Sequence, residues 1–314
     1  RRVAYVAMTR AKEEVIFTCP KELTSGDKSR EVSPSSFFAE AGDLSEEMHK
    51  LSDPESTSLL LHSPVRDLDS EMKAFLKERL EDYALSVTAL NHFLEDPQMF
   101  LEIDLLRVPQ AKQPSLVYGN AVHEAMKKWG LSVQSGKPLN SEEFVREFIK
   151  YLDEREILTE SERRGLKKVG EEALPRYFSQ RLSEGRPFIY KVEYDIRSYL
   201  DDIPIKGKID RIDLTAPDSS IASVIDFKTG RPKSDKQIKD DGNYFRQLSF
   251  YALLLECKNL PIDPQAYVLE FIGENSDHPV TRTFAITQSD IDELKEVVKE
   301  VWGKITNLDF TPVG

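Results

Sequence analysis

The chain has two regions that differ in the spacing of their hydrophobic and polar positions. Over residues 71–182 the apolar positions recur about every 3.6 residues, which is the spacing of amphipathic helices. After that stretch the period shortens to two, which predicts strands over 188–200, 203–214 and 220–228. The elements predicted beyond them are a helix over 243–258, strands over 266–273 and 280–287, and a closing helix over 287–305.

Polar residues indicate where several of the helices begin. Ser86 precedes an amphipathic segment, and Asn140 and Thr287 are each followed three residues later by an acidic residue, which is a capping-box pattern. A further helix is predicted to begin near Gly119 and to end at Gly130. These signals predict several separate helices.

The order of the predicted elements indicates the fold class. Helices come first and are followed by three strands, a helix, two strands and a last helix. Short connections at 201–202 and 216–219 suit antiparallel hairpins. We therefore expect an α/β fold with a mixed sheet flanked by helices and a helical N-terminal part. Nearer the start, a basic helix and a short strand are predicted within residues 1–20, and another helix over 33–42.

Composition is compatible with one large or two modest domains. The chain has 314 residues, of which 39% are hydrophobic and 31% are charged. It has no apolar run long enough to cross a bilayer and no signal-peptide pattern. Cys19 and Cys257 give neither a disulfide framework nor a four-cysteine metal site, so a cytoplasmic protein without membrane contact is expected. Because the first residue is Arg1 rather than Met, we expect a piece of a longer protein.

Two carboxylates and a lysine lie at the ends of two neighbouring predicted strands. Asp226 and Lys228 are two positions apart, so their side chains point to the same face of a strand. Asp210 belongs to the preceding strand, and in a hairpin the two carboxylates can converge on Mg²⁺ or Mn²⁺. Lys228 could then stabilise the negative charge of a phosphate. The plainer alternative is a solvated surface ion pair.

Other polar residues strengthen this prediction, although each also has a plainer interpretation. His123 lies on a helix whose Gly119 permits close approach to a sheet, and it is either a metal ligand or a structural histidine. Glu193 is either a further carboxylate of the site or a surface residue. Gln247 and Tyr251 share one helix face and would either contact nucleic acid or form the polar edge of a packing helix.

The distribution of charge matters more than its sum. The formal net charge of −12 counts against nucleic-acid binding at first sight. Residues 40–82, however, hold twelve acidic and five basic residues in a linker-like stretch, whereas residues 226–246 hold six basic and four acidic ones. Lys233 and Arg246 in the second segment are candidates for phosphate contact, although such a run of charge is usually only a solvated loop.

Four motifs, "GNAVHEAM", "GKIDRID", "VIDFKTG" and "QLSFY", occur in that order along the chain. Over about residues 83–310 they resemble the RecB/AddB-type branch of the PD-(D/E)xK nucleases, which have the restriction-endonuclease-like fold. Members of that branch cut single-stranded DNA and often follow a helicase. The resemblance implies the metal ligands His123, Asp210, Asp226 and the carbonyl of Phe227, a catalytic Lys228, an accessory carboxylate in Glu193, and the QxxxY pair Gln247 and Tyr251.

The amino-terminal segment "RRVAYVAMTRAK" resembles the last ATPase motif of UvrD/Rep-type superfamily 1 helicases. In that family the arginine at the position of Arg10 reaches the γ-phosphate. The chain lacks a GxxxxGK[ST] phosphate loop, so ATP is expected only in the full-length helicase and no ATPase activity from this fragment. The expected domains are a remnant of the helicase motor at 1–42, an acidic linker at 43–82 and a nuclease domain at 83–314.

The sequence departs from the AddB-like pattern at one motif, which in many relatives holds a metal cluster. Many AddB-like relatives hold an iron–sulfur cluster whose first cysteine lies in a "CP" step after a helix like "SVTALNHFL". Here that step is Asp96-Pro97, and the chain has only two cysteines, so no iron–sulfur cluster is expected.

The sequence therefore favours a Mg²⁺- or Mn²⁺-dependent deoxyribonuclease. Its expected substrate is DNA, mainly single-stranded, in repair or recombination, and its expected partners are helicase motor domains in cis. A second subunit could join them, and the sequence does not identify one. Two alternatives stay open, namely a catalytically silent DNA-binding module and a tail that recruits a protein partner through the acidic linker.

Overall fold

The chain divides into two compact units, residues 1–65 and 66–314. None of the helices in the described segments has the length and apolar character that a membrane span needs. The structure, a computed structural model, describes residues 22–25, 28–31, 70–108, 113–156, 158–182, 187–273 and 280–313.

The first unit contains a pair of strands that the sequence pattern does not predict. Strands β1 (Glu22–Ser25) and β2 (Lys28–Glu31) pair antiparallel, with Ser25 opposite Lys28. Each strand has only four residues, too few for a period of two to be recognised. The elements predicted within residues 1–20 and 33–42 lie outside the described residues.

The second unit begins with the predicted helical part. Ser86 caps one of its helices by accepting a hydrogen bond of 3.3 Å from the N–H of Ala89, and the predicted capping box at Asn140 is present. The helices are α1 (Ser70–Glu81), α2 (Val87–Glu95), α3 (Pro97–Met99) with a π-helical continuation over Phe100–Leu105, α4 (Pro114–Gln134), α5 (Ser141–Glu154), and α6 (Glu160–Tyr177) with a π-helical continuation over Phe178–Leu182.

A five-stranded sheet follows, and its strands are ordered as they occur in the chain. All neighbours pair antiparallel except the third and fourth strands of the sheet, which are parallel. Two helices between these strands form the crossover that this parallel pair requires. The bounds are β3 (Phe188–Leu200), β4 (Ile203–Leu214), β5 (Ile221–Lys228), α7 (Asp235–Asp241), α8 (Asn243–Lys258), β6 (Asp263–Phe271), β7 (Val280–Phe284) and α9 (Gln288–Thr306). The prediction of a mixed sheet flanked by helices is confirmed.

Helix α4 is longer than predicted at both ends. It begins at Pro114, because proline suits the first turn, where its missing N–H would have no partner. The helix also continues through Gly130 to Gln134. Gly130 does not end the helix, but allows it to pack closely against a strand. A Cβ atom added at Gly130 would lie 2.9 Å from Cγ2 of Val192 on β3, so only glycine lets the helix approach the strand.

The two faces of the sheet are covered by two hydrophobic clusters. Alternate residues of β5 contribute to different clusters, Val224 to one and Ile225 and Phe227 to the other. Helices α2, α8 and α9 cover the Val224 face, and helices α4, α5 and α6 cover the Phe227 face. The residues at the end of β5 therefore lie between two layers of helices.

Candidate active site

The two predicted carboxylates meet where strands β4 and β5 stop pairing. Backbone pairing ends at Arg211 and Ile225, and Asp210 and Asp226 are the next residues of the two strands. The side chain of Asp210 bridges the gap, because its Oδ2 accepts a hydrogen bond of 2.8 Å from the backbone N–H of Phe227. Asp210 is 8% exposed and Asp226 is 2% exposed, so both carboxylates lie where charges interact strongly.

His123 faces this gap from helix α4. Its Nδ1 lies 3.3 Å from Oδ1 of Asp210, and its Nε2 lies 3.1 Å from the carbonyl oxygen of Phe227. Burial lowers the pKa of His123, but the hydrogen bond and charge of Asp210 outweigh burial. With the further charges of Asp226 and Glu193, the pKa is raised above its ordinary value. Three groups implied as metal ligands are thus within reach of one another.

A glycine allows helix α4 to come this close to the end of β5. A Cβ atom added at Gly119 would lie 3.2 Å from Oγ1 of Thr229, which is tighter than nearly all Cβ contacts. Gly119 lies one helical turn before His123, so the same face of the helix presents both residues to the sheet. The close approach expected from the sequence is therefore present.

Glu193 joins the same group from strand β3. Ligand atoms of His123, Glu193 and Asp210 all lie within 4.8 Å of one another, a spacing that suits one cation. Glu193 has a left-handed φ of 50°, which costs a residue other than glycine about 1–3 kcal/mol. It also forms an ion pair with Lys208 of β4. The sequence offers no signal for this backbone conformation, and it presents Glu193 only as an accessory carboxylate or a surface residue.

The carboxylate of Asp226 is fixed by residues of helix α8. Its Oδ1 accepts hydrogen bonds from Nε2 of Gln247 at 2.9 Å and from the hydroxyl of Tyr251 at 2.8 Å. Nζ of Lys228 lies 2.7 Å from its Oδ2 and donates a hydrogen bond of 2.6 Å to Oε1 of Gln247. Oδ2 is buried, and the ammonium group of Lys228 is its partner in this network.

Burial and charge perturb the acid–base groups of this network. Burial raises the pKa of Asp226 despite the ammonium group of Lys228, and the charge of Asp210 adds to this effect. Burial lowers the pKa of Lys228, but the charge of Asp226 outweighs it and raises this pKa above its ordinary value. Burial also raises the pKa of Tyr251, so its hydroxyl remains a hydrogen-bond donor.

Gln247 and Tyr251 therefore lie against Asp226 rather than on an outward-facing edge of the helix. Lys233 forms an ion pair with Asp241, and Nη1 of Arg246 donates a hydrogen bond of 2.6 Å to Oδ1 of Asn91. These two predicted DNA-contacting residues thus have protein partners outside the carboxylate group. Arg10 lies outside the described residues.

Tyr244 connects the site lysine to the neighbouring loop, and sequence reasoning misses it. Nζ of Lys228 and Nζ of Lys233 each lie 4.7 Å from the centre of its ring. Cation–π contacts of this kind are attractive, and more so where water is excluded. Aromatic residues in helix α8 match a core pattern equally well, so the pattern cannot single out Tyr244.

A buried ion pair lies beside the site, on the face of the sheet that helix α4 covers. Arg211 is 8% exposed, and its Nε and Nη2 lie 3.1 and 3.0 Å from Oδ2 of Asp213. Its guanidinium carbon lies 5.6 Å from the centre of the Trp129 ring and 5.4 Å from that of Phe227. Because Phe227 carries the N–H bonded to Asp210 and the carbonyl next to His123, Arg211 packs directly beside the site.

The residues present fit a divalent metal ion. One imidazole nitrogen and oxygens from two carboxylates and a main-chain carbonyl form a donor set that suits Mn²⁺ and, through its oxygens, Mg²⁺. Oδ2 of Asp226 is buried and lies 2.7 Å from the ammonium group of Lys228, so this oxygen is already paired with a positive charge. His123, Asp210 and Glu193 would hold the ion, with Asp226 and the carbonyl of Phe227 beside it.

Comparison with known proteins identifies the family to which this chain belongs. A protein from Eubacterium rectale that is provisionally described as an exonuclease has 16% identity and a TM-score of 0.48, over 77% of this chain and 87% of its own. The solved protein SSO0001 has 14% identity and a TM-score of 0.31, over 75% of this chain and 86% of its own. No curated protein matches the chain. The family description that matches, over residues 84–314, is that of the PD-(D/E)XK nuclease superfamily. This match covers most of the chain, which therefore belongs to the PD-(D/E)XK nuclease superfamily.

Proposed function

We propose that this chain is the metal-dependent DNA nuclease domain of a helicase–nuclease, and that it hydrolyses phosphodiester bonds of mainly single-stranded DNA in repair or recombination. Membership of a nuclease superfamily supports the reaction class. The observation that carries the proposal is the convergence of His123, Asp210 and Glu193 within 4.8 Å, with the buried pair of Asp226 and Lys228 beside them.

Each residue of the site has a distinct role in this proposal. A divalent ion held by His123, Asp210 and Glu193 would supply Lewis-acid stabilisation of charge on the phosphate. Lys228 would donate a hydrogen bond from its ammonium group to a phosphate oxygen or to the attacking water. Lys228 is well suited to this role, because its raised pKa keeps it protonated.

Gln247 and Tyr251 act as positioning residues. Their two hydrogen bonds to Oδ1 of Asp226 fix the carboxylate, while Oδ2 faces the ammonium group of Lys228. Gln247 also orients Lys228 through the bond of 2.6 Å to its ammonium group. One glutamine side chain therefore holds both the acid and the lysine of the motif.

The helicase context and the preference for single strands rest on resemblance. The four ordered motifs resemble the RecB/AddB-type branch, and residues 1–12 resemble a helicase ATPase motif. The basic excess over residues 226–246 supports contact with a polyanion despite the acidic total. The Mg²⁺ or Mn²⁺ requirement is proposed from the mixed nitrogen and oxygen donor set.

The test is hydrolysis of labelled single- and double-stranded DNA in Mg²⁺, Mn²⁺ or chelator, with product lengths resolved. Asp226→Asn should abolish cutting, and Lys228→Met should slow it by about 10²- to 10³-fold, because each removes one charge from the site. Asp218→Asn is the matched control, since Asp218 is exposed in the turn between β4 and β5. DNA binding in chelator without any product in metal would instead support a silent binding module.

A further inference from the structure

A cavity lies next to the carboxylate site. This cavity of about 290 Å³ lies beyond the carboxyl ends of the parallel strands β5 and β6, where the chain leaves β5 at Thr229 and β6 at Gly273. In α/β sheets, ligands bind preferentially in the crevice outside the carboxyl ends of such strands. None of the residues described so far as ligands or as partners of Asp226 lines this cavity.

We propose that this cavity binds one nucleotide of the DNA strand, one or two positions from the scissile phosphate. The inference rests on the proposed nuclease function and adds to it a subsite for a neighbouring base and phosphate. The chemistry of the walls, the charge at the rim and the distance from the carboxylates each support this occupant.

The walls offer an apolar surface with one aromatic ring. Tyr118 of helix α4 and Leu166 and Val169 of helix α6 line the cavity. Tyr118 is 7% exposed, and its ring packs edge-on against Phe148 at 5.5 Å, so its position is fixed from behind. A base that has left its stack can regain stacking and apolar contact on such a surface, whatever its identity.

The rim of the cavity carries a positive charge. Arg231 is exposed, lies three residues after Lys228, and has no ion-pair partner among the described residues. Lys233, two residues further on, is by contrast paired with Asp241. An unpaired guanidinium beside an apolar cleft is complementary to a nucleotide, which combines a flat apolar base with a charged phosphate.

The distance from the carboxylate site fits a nearby nucleotide. Thr229 of the cavity wall directly follows Lys228 of the carboxylate site, so the Cα atoms of these two residues lie about 3.8 Å apart. A stacked strand rises about 3.4 Å per nucleotide, so a nucleotide one or two steps from the scissile phosphate can reach this wall. A Cβ atom at Gly273 would lie 3.2 Å from the carbonyl oxygen of Gly230, so bare backbone forms this part of the wall.

The first test is photo-crosslinking on the full chain in chelator, which does not depend on cutting. Single-stranded oligonucleotides carry one 5-iododeoxyuridine at successive positions, and the crosslinked peptide is identified by mass spectrometry. We expect one position to crosslink to the segment containing Tyr118. Val169→Trp, which fills the cavity, should remove that crosslink and weaken binding about 5-fold or more. Its thermal unfolding is measured alongside.

Arg231→Gln provides a second variant that leaves the apolar walls intact. The slope of log K against log salt concentration should decrease in magnitude by about 0.7 relative to the unmodified chain, the value for one phosphate contact of a single strand. Arg146→Gln is the matched control, because Arg146 is exposed on helix α5 and does not line the cavity, and its slope should not change.

The outcomes separate this subsite from the nuclease function. DNA cutting with crosslinks only outside the cavity, or with an unchanged salt slope for Arg231→Gln, would overturn the subsite and leave the nuclease intact. Crosslinking to Tyr118 without cutting in Mg²⁺ or Mn²⁺ would support the subsite and overturn the nuclease. Absence of any DNA binding would overturn both.

Discussion

Removal of the buried charge of Arg211 should lower the free energy of unfolding more than any other change considered below. Arg211→Met leaves the carboxylate of Asp213 without the guanidinium that binds it at 3.0 and 3.1 Å. Removal of one partner of a buried pair costs about 3–5 kcal/mol, because the other charge stays buried. The double variant Arg211→Met/Asp213→Leu should recover most of this loss. Arg197→Met, an exposed site on β3, is the matched control and should change stability by less than about 0.5 kcal/mol.

The assay is urea unfolding of each variant at pH 7 and pH 5, followed by circular dichroism. Burial raises the pKa of Asp213 above its ordinary value, with Arg211 opposing this effect and Glu270 adding to it. Loss of Arg211 raises this pKa further. A carboxyl group with a raised folded-state pKa stabilises the folded protein at low pH, and this contribution is lost as the pH rises through the folded-state pKa. The loss in free energy of unfolding caused by Arg211→Met should therefore be smaller at pH 5 than at pH 7. A single variant as stable as the control, or a double variant no better than the single, would refute the reasoning.

Two other predictions concern packing and the site lysine. Gly170→Ala should destabilise the domain by about 1–3 kcal/mol, because an added Cβ would overlap the buried ring of Phe148. An added Cβ at Gly165, on the same helix, meets no atom, so Gly165→Ala should stabilise the domain by up to about 1 kcal/mol. Urea unfolding of the two variants measures the difference. Tyr244→Phe should retain the cation–π contact with Lys228 and the cutting rate, whereas Tyr244→Leu should lower the rate about 2- to 30-fold. Equal rates for both Tyr244 variants would contradict this role.

Regular alternation explains why much of the sheet is predictable. Strands β3 and β4 have the predicted bounds, and so does helix α8, because each has a clear period and a polar or turn-forming boundary. The bounds of α4 are less predictable, since Gly130 resembles a helix end in sequence while its packing against Val192 is visible only in three dimensions. Strands β1 and β2 are too short to give a pattern.

The candidate site is predictable in its composition and less so in its arrangement. Asp210, Asp226 and His123 converge because strand ends and one helix bring them together, and their spacing in sequence suggests this. The backbone conformation of Glu193 has no such signal. Nor does the sequence show that Gln247 faces Asp226, because a helix face is equally compatible with contact to the sheet or to a ligand.

Every acid of the site has a base of the protein next to it. Lys228 lies against Asp226, Lys208 against Glu193, and His123 against Asp210. These built-in counter-ions mean that folding does not have to wait for an ion from solution to offset the crowded negative charge. If the chain is the metal-dependent nuclease proposed above, the domain would complete its tertiary structure in a metal-depleted environment and would cut DNA only after an ion binds. A chelator would then reversibly silence the molecule without denaturing it.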